Sequence, residues 1–201
     1  AIRVKRDILR RSSVGLIATR RSHAAATGAT GANEVLGVDG TFAFFTNLSL
    51  NGYWAQTQTE GVSNEDNVSY QAQLDYTGDR YGVQIERLTI GDNFNPELGF
   101  VRRDDMRRTF GLFRFSPRPR RSKLIRKFSW VGSMAHIEDG RGRLSTREIK
   151  GEFGIEFQNS DRLVLSYTDS YEFLAVPFVI VPTVSIPVGP YLFGIARAAI
   201  Q

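Results

Sequence analysis

The chain contains no cysteine, two histidines, two methionines and two tryptophans in 201 residues. Without cysteine there is no disulfide scaffold and no thiolate zinc site. The histidines, His23 and His136, stand far apart without neighbouring metal-ligand residues, so neither metal binding nor imidazole catalysis is read from them. No G-x-S-x-G elbow surrounds Ser12, Ser13 or Ser22, which leaves a serine hydrolase nothing to stand on. Long apolar runs are missing too, and nothing approaches the roughly 20 consecutive apolar residues of a membrane helix. A helical membrane span is thereby excluded, but a β-barrel is not. Its strands need only about 9–11 residues with apolar side chains at alternate positions. Ala1–Arg11 mixes charges with aliphatics and has no apolar signal-peptide core, so an exported protein would carry this sequence as an internal piece of a longer chain.

What is present is a net charge of +5, unevenly spread. Arg102–Lys127 holds eleven Lys or Arg against two acids, and Arg3–Arg21 holds seven against one. Such a surface suits anionic lipid, lipopolysaccharide or nucleic acid. The cluster Arg118, Arg120, Arg121 and Lys123 lacks interleaved aromatics, so a solvated turn is the better account and no nucleic-acid partner is expected.

The dominant pattern is alternation with a period of two. In Val68–Thr77, Val68, Tyr70, Ala72, Leu74 and Tyr76 share one face, and Ser69, Gln71, Gln73, Asp75 and Thr77 share the other. Tyr81, Val83 and Ile85 repeat this against Gly82, Gln84 and Glu86, with Gly78-Asp79 placed to supply the positive-φ positions of a tight turn. Leu36, Val38, Gly40, Phe42 and Phe44 make another such face, as do Leu48, Leu50, Gly52 and Trp54. In Ser145–Phe157, Ile149, Phe153, Ile155 and Phe157 oppose Glu148, Lys150, Glu152 and Glu156. The pattern predicts about eleven strands in one domain spanning residues 1–201, with Asp169–Pro190 read as a long loop. Short connections at 10–12, 46–47, 78–79, 116–123 and 159–161 alternate with long ones at 22–33, 58–67, 91–101 and 169–190, Asp139–Arg143 being a short exception. Sorting by rim in this way is what an outer-membrane barrel does.

Two readings of the alternation compete. In a soluble basic β-sandwich the apolar faces are core, and in a barrel they meet lipid while the polar faces line the lumen. On the barrel reading Leu36, Val38, Phe42, Phe44, Tyr70, Leu74, Val83, Ile85, Phe153 and Ile155 lie outside. Gln71, Gln73, Asp75, Gln84, Glu148, Lys150, Glu152 and Glu156 then face the lumen, the glutamate row pairing with basic rows such as Arg103, Arg107 or Arg126. Asp104-Asp105, placed on a strand starting at Arg102, point to opposite faces and cannot share a substrate. No catalytic residue, cofactor or metal ligand is assigned.

The stretches VKRDILRRSSVGLIATRR, GVDGTFAFFTNLSLNGYWAQT, YTGDRYGVQIE, GDNFNPELGFVRRDDMRRTFG and EFGIEFQNSDR resemble the barrel region of a family of bacterial outer-membrane proteins, a domain of unknown function. Its barrel usually follows an N-terminal family 9 carbohydrate-binding module. The most specific motif places Asp92, Asn93, Phe94, Asn95, Pro96, Gly99 and Phe100 in one loop. The resemblance implies an outer-membrane location, lipid and lipopolysaccharide as partners, and a cell-surface role in glycan binding or uptake, with carbohydrate held by a module outside this sequence. It lends no catalytic residues. The rival function is a surface hydrolase with its site in the extracellular loops. An odd strand count predicts an antiparallel meander that is an open curved sheet, with unpaired edges at Ile2–Leu9 and Tyr191–Ile200.

Overall fold

A computed structural model describes residues 1–200, and all their regular structure is β. The strands are β1 (Ile2–Ile8), β2 (Ser12–Arg21), β3 (Asn33–Phe44), β4 (Leu48–Thr59), β5 (Val68–Thr77), β6 (Tyr81–Ile90), β7 (Met106–Phe115), β8 (Ile125–Asp139), β9 (Leu144–Phe157), β10 (Arg162–Leu174), β11 (Phe178–Val181), β12 (Val184–Ile186) and β13 (Gly189–Ile200). Eleven form one antiparallel meander in the order β1 to β10 followed by β13, and the sheet is not closed. The expected all-β meander of about eleven strands is what the chain adopts. The segment read as a loop at 169–190 is corrected. There β10 continues to Leu174, β11 and β12 form a separate hairpin, and β13 begins at Gly189. Tyr171 and Phe173 prolong the alternation of β10, and they lie opposite Leu192 and Pro190 of β13.

The chain groups into two compact units: Ala1–Asp75 with Ile85–Arg108 and Asp139–Arg141, and Tyr76–Gln84 with Thr109–Glu138 and the chain from Gly142 onward. In the first unit, register makes each face continuous across strands. Leu16 lies opposite Val38 and Val38 opposite Trp54, while Phe42 lies opposite Leu50. On the reverse face Gly15 pairs with Asp39, Asp39 with Tyr53 and Val35 with Thr57. Arg3 on β1 reaches Asp39 on β3 at 2.5 Å by crossing over β2. Gly15 occupies the crossing, where a Cβ would stand 2.7 Å from both partners. A side chain there would block the pair.

In the second unit Trp130 lies opposite Phe153 and Phe153 opposite Leu165, while Gly132 pairs with Gly151 and Gly151 with Tyr167. The reverse face carries Glu148, Lys150, Glu152 and Glu156 beside Ser170, Thr168, Ser166 and Arg162.

Burial is inverted in the first unit, and in the second the buried side chains are the polar Ser116 and Ser170 while Trp130, Met134 and Leu165 are exposed. The buried apolar residues are Ala32, Val35 and Phe94, whereas Asn33, Thr57, Asn67, Ser69 and Glu86 are buried polar ones. Leu36 (50% exposed), Ile85 (56%) and Trp130 (42%) stand out among many uncovered apolar side chains.

Two local expectations fail. Gly78 has no positive φ, and the β5–β6 connection is the three residues Gly78–Arg80. Its carbonyl instead accepts from Arg114 Nη2 at 2.6 Å, and a Cβ on Gly78 would meet the Tyr76 hydroxyl at 2.9 Å. The left-handed positions at short turns are Leu9, Phe45, Gly142 and Ser160; glycine and serine are ordinary turn residues, whereas leucine and phenylalanine are types that no turn preference singles out. Second, β7 begins at Met106, so Asp104 and Asp105 lie in the preceding loop, Asp105 at φ 45°. The argument that a strand splays them apart therefore lapses.

Candidate functional site

The first unit gathers three long connections, residues 22–32, 60–67 and 91–105, at the ends of the strands they join. Thr30 N donates to Glu60 O at 2.8 Å, and Gly91 N donates to Val68 O at 3.0 Å. Gly91 packs against the Asp66 carbonyl so closely that no Cβ fits.

The motif loop is fastened to the polar face of β3 and β4 through its backbone. Asn33 Nδ2 donates to Asn95 O at 2.9 Å and to Thr59 Oγ1 at 2.8 Å, and Glu97 N donates to Asn33 Oδ1 at 3.3 Å. Thr57 Oγ1 accepts from Asn95 N at 3.2 Å and donates to Asn93 O at 3.3 Å. Asn93 Nδ2 donates to Glu65 O at 2.8 Å. A backbone without its own ladder must find partners, and here polar side chains of a sheet face supply them. Phe94 is sunk among them, 8% exposed.

Glu97 ties a second loop to the first. Its Oε1 accepts from Ala25 N at 2.7 Å and Ala26 N at 2.8 Å, and Arg21 Nη1 stands 3.3 Å from Oε2. The carboxylate is nearly fully buried, with a side chain 4% exposed. Two charge-assisted hydrogen bonds to Oε1 and the nearby Arg21 charge offset the cost of burying it, Oε2 itself making no hydrogen bond.

These anchors frame a cleft of about 760 Å³ whose lining includes Asp92, Asn93, Asn95, Arg102, Arg103 and Asp104. Phe94, Pro96, Gly99 and Phe100 complete the motif's share of the wall, and Phe100 is 86% exposed. All seven residues of the motif loop line this one cavity. Sequence reasoning missed Asn33, Thr57, Thr59, Arg21 and Glu97. Their one signal was position, since each sits at or next to the end of a polar row beside a long loop, or inside the motif. Chemically the cleft offers planar donors and acceptors of both charges with aromatic surface. Among the described residues no cluster of three His, Cys, Asp or Glu could hold a metal ion. His23 is exposed in its loop, and His136 Nε2 lies 2.9 Å from Glu138 Oε1 on the same strand.

The eight residues read as lumen-facing all occupy polar faces. Gln71 and Gln73 in the first unit are half-buried, and Gln73 Nε2 donates to Asp75 Oδ2 at 2.7 Å. Gln84, Lys150, Glu152 and Glu156 in the second unit are half-buried, while Glu148 is exposed. Of the basic partners expected for the glutamate row, Arg126 is in place, 3.1 Å from Glu156 Oε1. Lys150 pairs within its own strand with Glu152 at 2.9 Å. Arg103 lines the loop cleft, and Arg107 lies on the face opposite to that of Arg108, whose partner is the buried Glu86. Of the expected outer set, Leu36, Val38, Phe44, Tyr70, Leu74 and Ile85 are exposed, and Phe42, Val83, Phe153 and Ile155 are half-buried.

Comparison with family models, curated proteins and solved structures finds no match.

Proposed function

We propose that this chain is a transmembrane β-barrel segment of the bacterial outer membrane. Its apolar faces meet lipid, its polar faces line the interior and its long loops lie outside the cell. One observation carries the reading: burial is inverted, with Asn, Thr, Ser and Glu covered and Leu, Ile, Val and Trp left open. In water a single sheet with such a face pays for every uncovered side chain, about 25 cal/mol per Å². In a bilayer the hydrocarbon covers it, and the antiparallel ladder satisfies the backbone. The sandwich alternative needs a second packed sheet, whereas eleven strands share one. The parent protein acts at the cell surface in glycan binding or uptake, a reading supported by the resemblance of the motif stretches. The loop cleft, with Asp92, Asn95, Arg102 and Phe100, is suited to a polyhydroxylated ligand.

The two tryptophans provide the test, because Trp54 and Trp130 each sit on an apolar face. In phospholipid vesicles, brominated acyl chains are expected to quench both, and aqueous iodide neither. Quenching by iodide alone would place these faces in water and end the membrane reading.

A further inference from the structure

The apolar face of the second unit carries a feature that general lipid contact does not require. Gly132 and Gly151 lie opposite each other, and a Cβ on either would meet nothing within 4 Å. They floor a groove of about 780 Å³ walled by Phe113, Trp130, Phe153 and Tyr167. Trp130 and Phe153 belong to an aromatic ladder in which Phe115 stacks on Trp130 at 5.8 Å and Trp130 meets Phe153 at 5.2 Å. Tyr81 stacks on Phe115 at 5.3 Å.

A cation caps this ladder. The Arg80 guanidinium lies 5.3 Å from the Phe115 ring centre and 5.7 Å from that of Tyr81. Rings hold the flat face of a guanidinium and leave its N–H edge for an oxyanion. The turn of Arg80 is joined to the next one, Ser116 N donating to Arg80 O at 2.7 Å, and that turn carries exposed Arg120, Arg121 and Lys123. Asp79 engages Arg118 at 2.8 Å. Positive charge therefore stands above an oily slot, at a rim of short turns.

We infer that the second unit binds one anionic glycerophospholipid, an acyl chain lying in the Gly132–Gly151 groove and the phosphate against Arg80 and the neighbouring turn cations. The inference rests on the membrane reading. The short-turn rim of a barrel faces the periplasm, where the adjoining leaflet offers glycerophospholipid in place of lipopolysaccharide. Basic pockets at a membrane edge select such headgroups at about 1 kcal/mol per cation, which corresponds to about fivefold in occupancy.

The test reconstitutes the full chain in phosphatidylcholine vesicles with phosphatidylglycerol as the minor component. Lipids retained after extraction into detergent are then identified by mass spectrometry. Phosphatidylglycerol is expected to be enriched over its share of the bilayer. Arg80→Gln lowers that enrichment about fivefold, Gly151→Leu abolishes it by filling the slot, and Arg10→Gln at another short turn leaves it at the wild-type level. Insertion without enrichment, or enrichment indifferent to Arg80→Gln, would overturn the site while leaving the membrane reading intact. Retention of lipopolysaccharide in its place, tested by adding it to the vesicles, would also overturn it. Failure to insert into phosphatidylcholine would defeat the membrane reading and the site with it.

Discussion

Asp79 shows how much a single turn residue can do at a rim. Its carboxylate accepts from Arg118, and that hydrogen bond holds it below the usual carboxylate range. The Arg118 guanidinium is shifted upward by the same contact. Because the folded carboxyl is the stronger acid, the pair stabilises the fold above the usual carboxylate pKa, and that contribution fades as pH falls through the depressed value. Both groups are open to water, so the effect is local. A carboxyl-carbon NMR titration is expected to place the Asp79 midpoint below that of an ordinary aspartate, and Arg118→Gln is expected to return it there. An unchanged midpoint in Arg118→Gln would dissociate the two residues. Asn33 works differently: almost wholly buried, it spends donor and acceptor on Thr59, Asn95 and Glu97. It sets the position of the motif loop.

At the scale of the strand, β3 separates the competing environments. Val38 lies near its middle on the apolar face and Thr41 on the polar one. An arginine at the lipid-facing midplane of a barrel costs about 2–4 kcal/mol, whereas an exposed surface substitution in water stays within about 0.5 kcal/mol. Urea unfolding of the vesicle-inserted chain is expected to show the larger loss for Val38→Arg and little for Thr41→Arg. Equal small losses would mean that both faces are wet. The turn that follows this strand was legible at 46–47, but its left-handed residue was not, since Phe45 adopts φ 54° and is not one of the residue types that normally mark such a position.

For the whole molecule, a meander sends alternate connections to opposite ends of its strands. The connections 9–11, 45–47, 78–80, 116–124 and 158–161 share one end, and 22–32, 60–67, 91–105, 140–143 and 175–188 the other. If the longer set lies outside the cell, Thr27→Cys and Ser63→Cys are expected to react with an impermeant maleimide on intact cells. Arg121→Cys is expected to react only after the outer membrane is opened. Labelling of all three on intact cells would contradict the assigned orientation.

The sequence alone determined strand identity, the two-faced character of each strand and the meander, because side chains alternate on a pleated backbone and neighbouring hairpins pair locally. The split of Gln71, Gln73 and Asp75 from Tyr70 and Leu74 could be read directly. The sequence could not decide what an apolar face meets, since period-two alternation is identical for a sandwich core and for lipid. Tertiary structure supplied the single sheet with its inverted burial. Nor could it reveal Arg3 reaching Asp39 across Gly15, Glu97 gripping Ala25 and Ala26, or Arg80 seated on Tyr81 and Phe115. Most of these contacts join residues far apart in the chain. Only the register of strands and the path of loops brings them within reach.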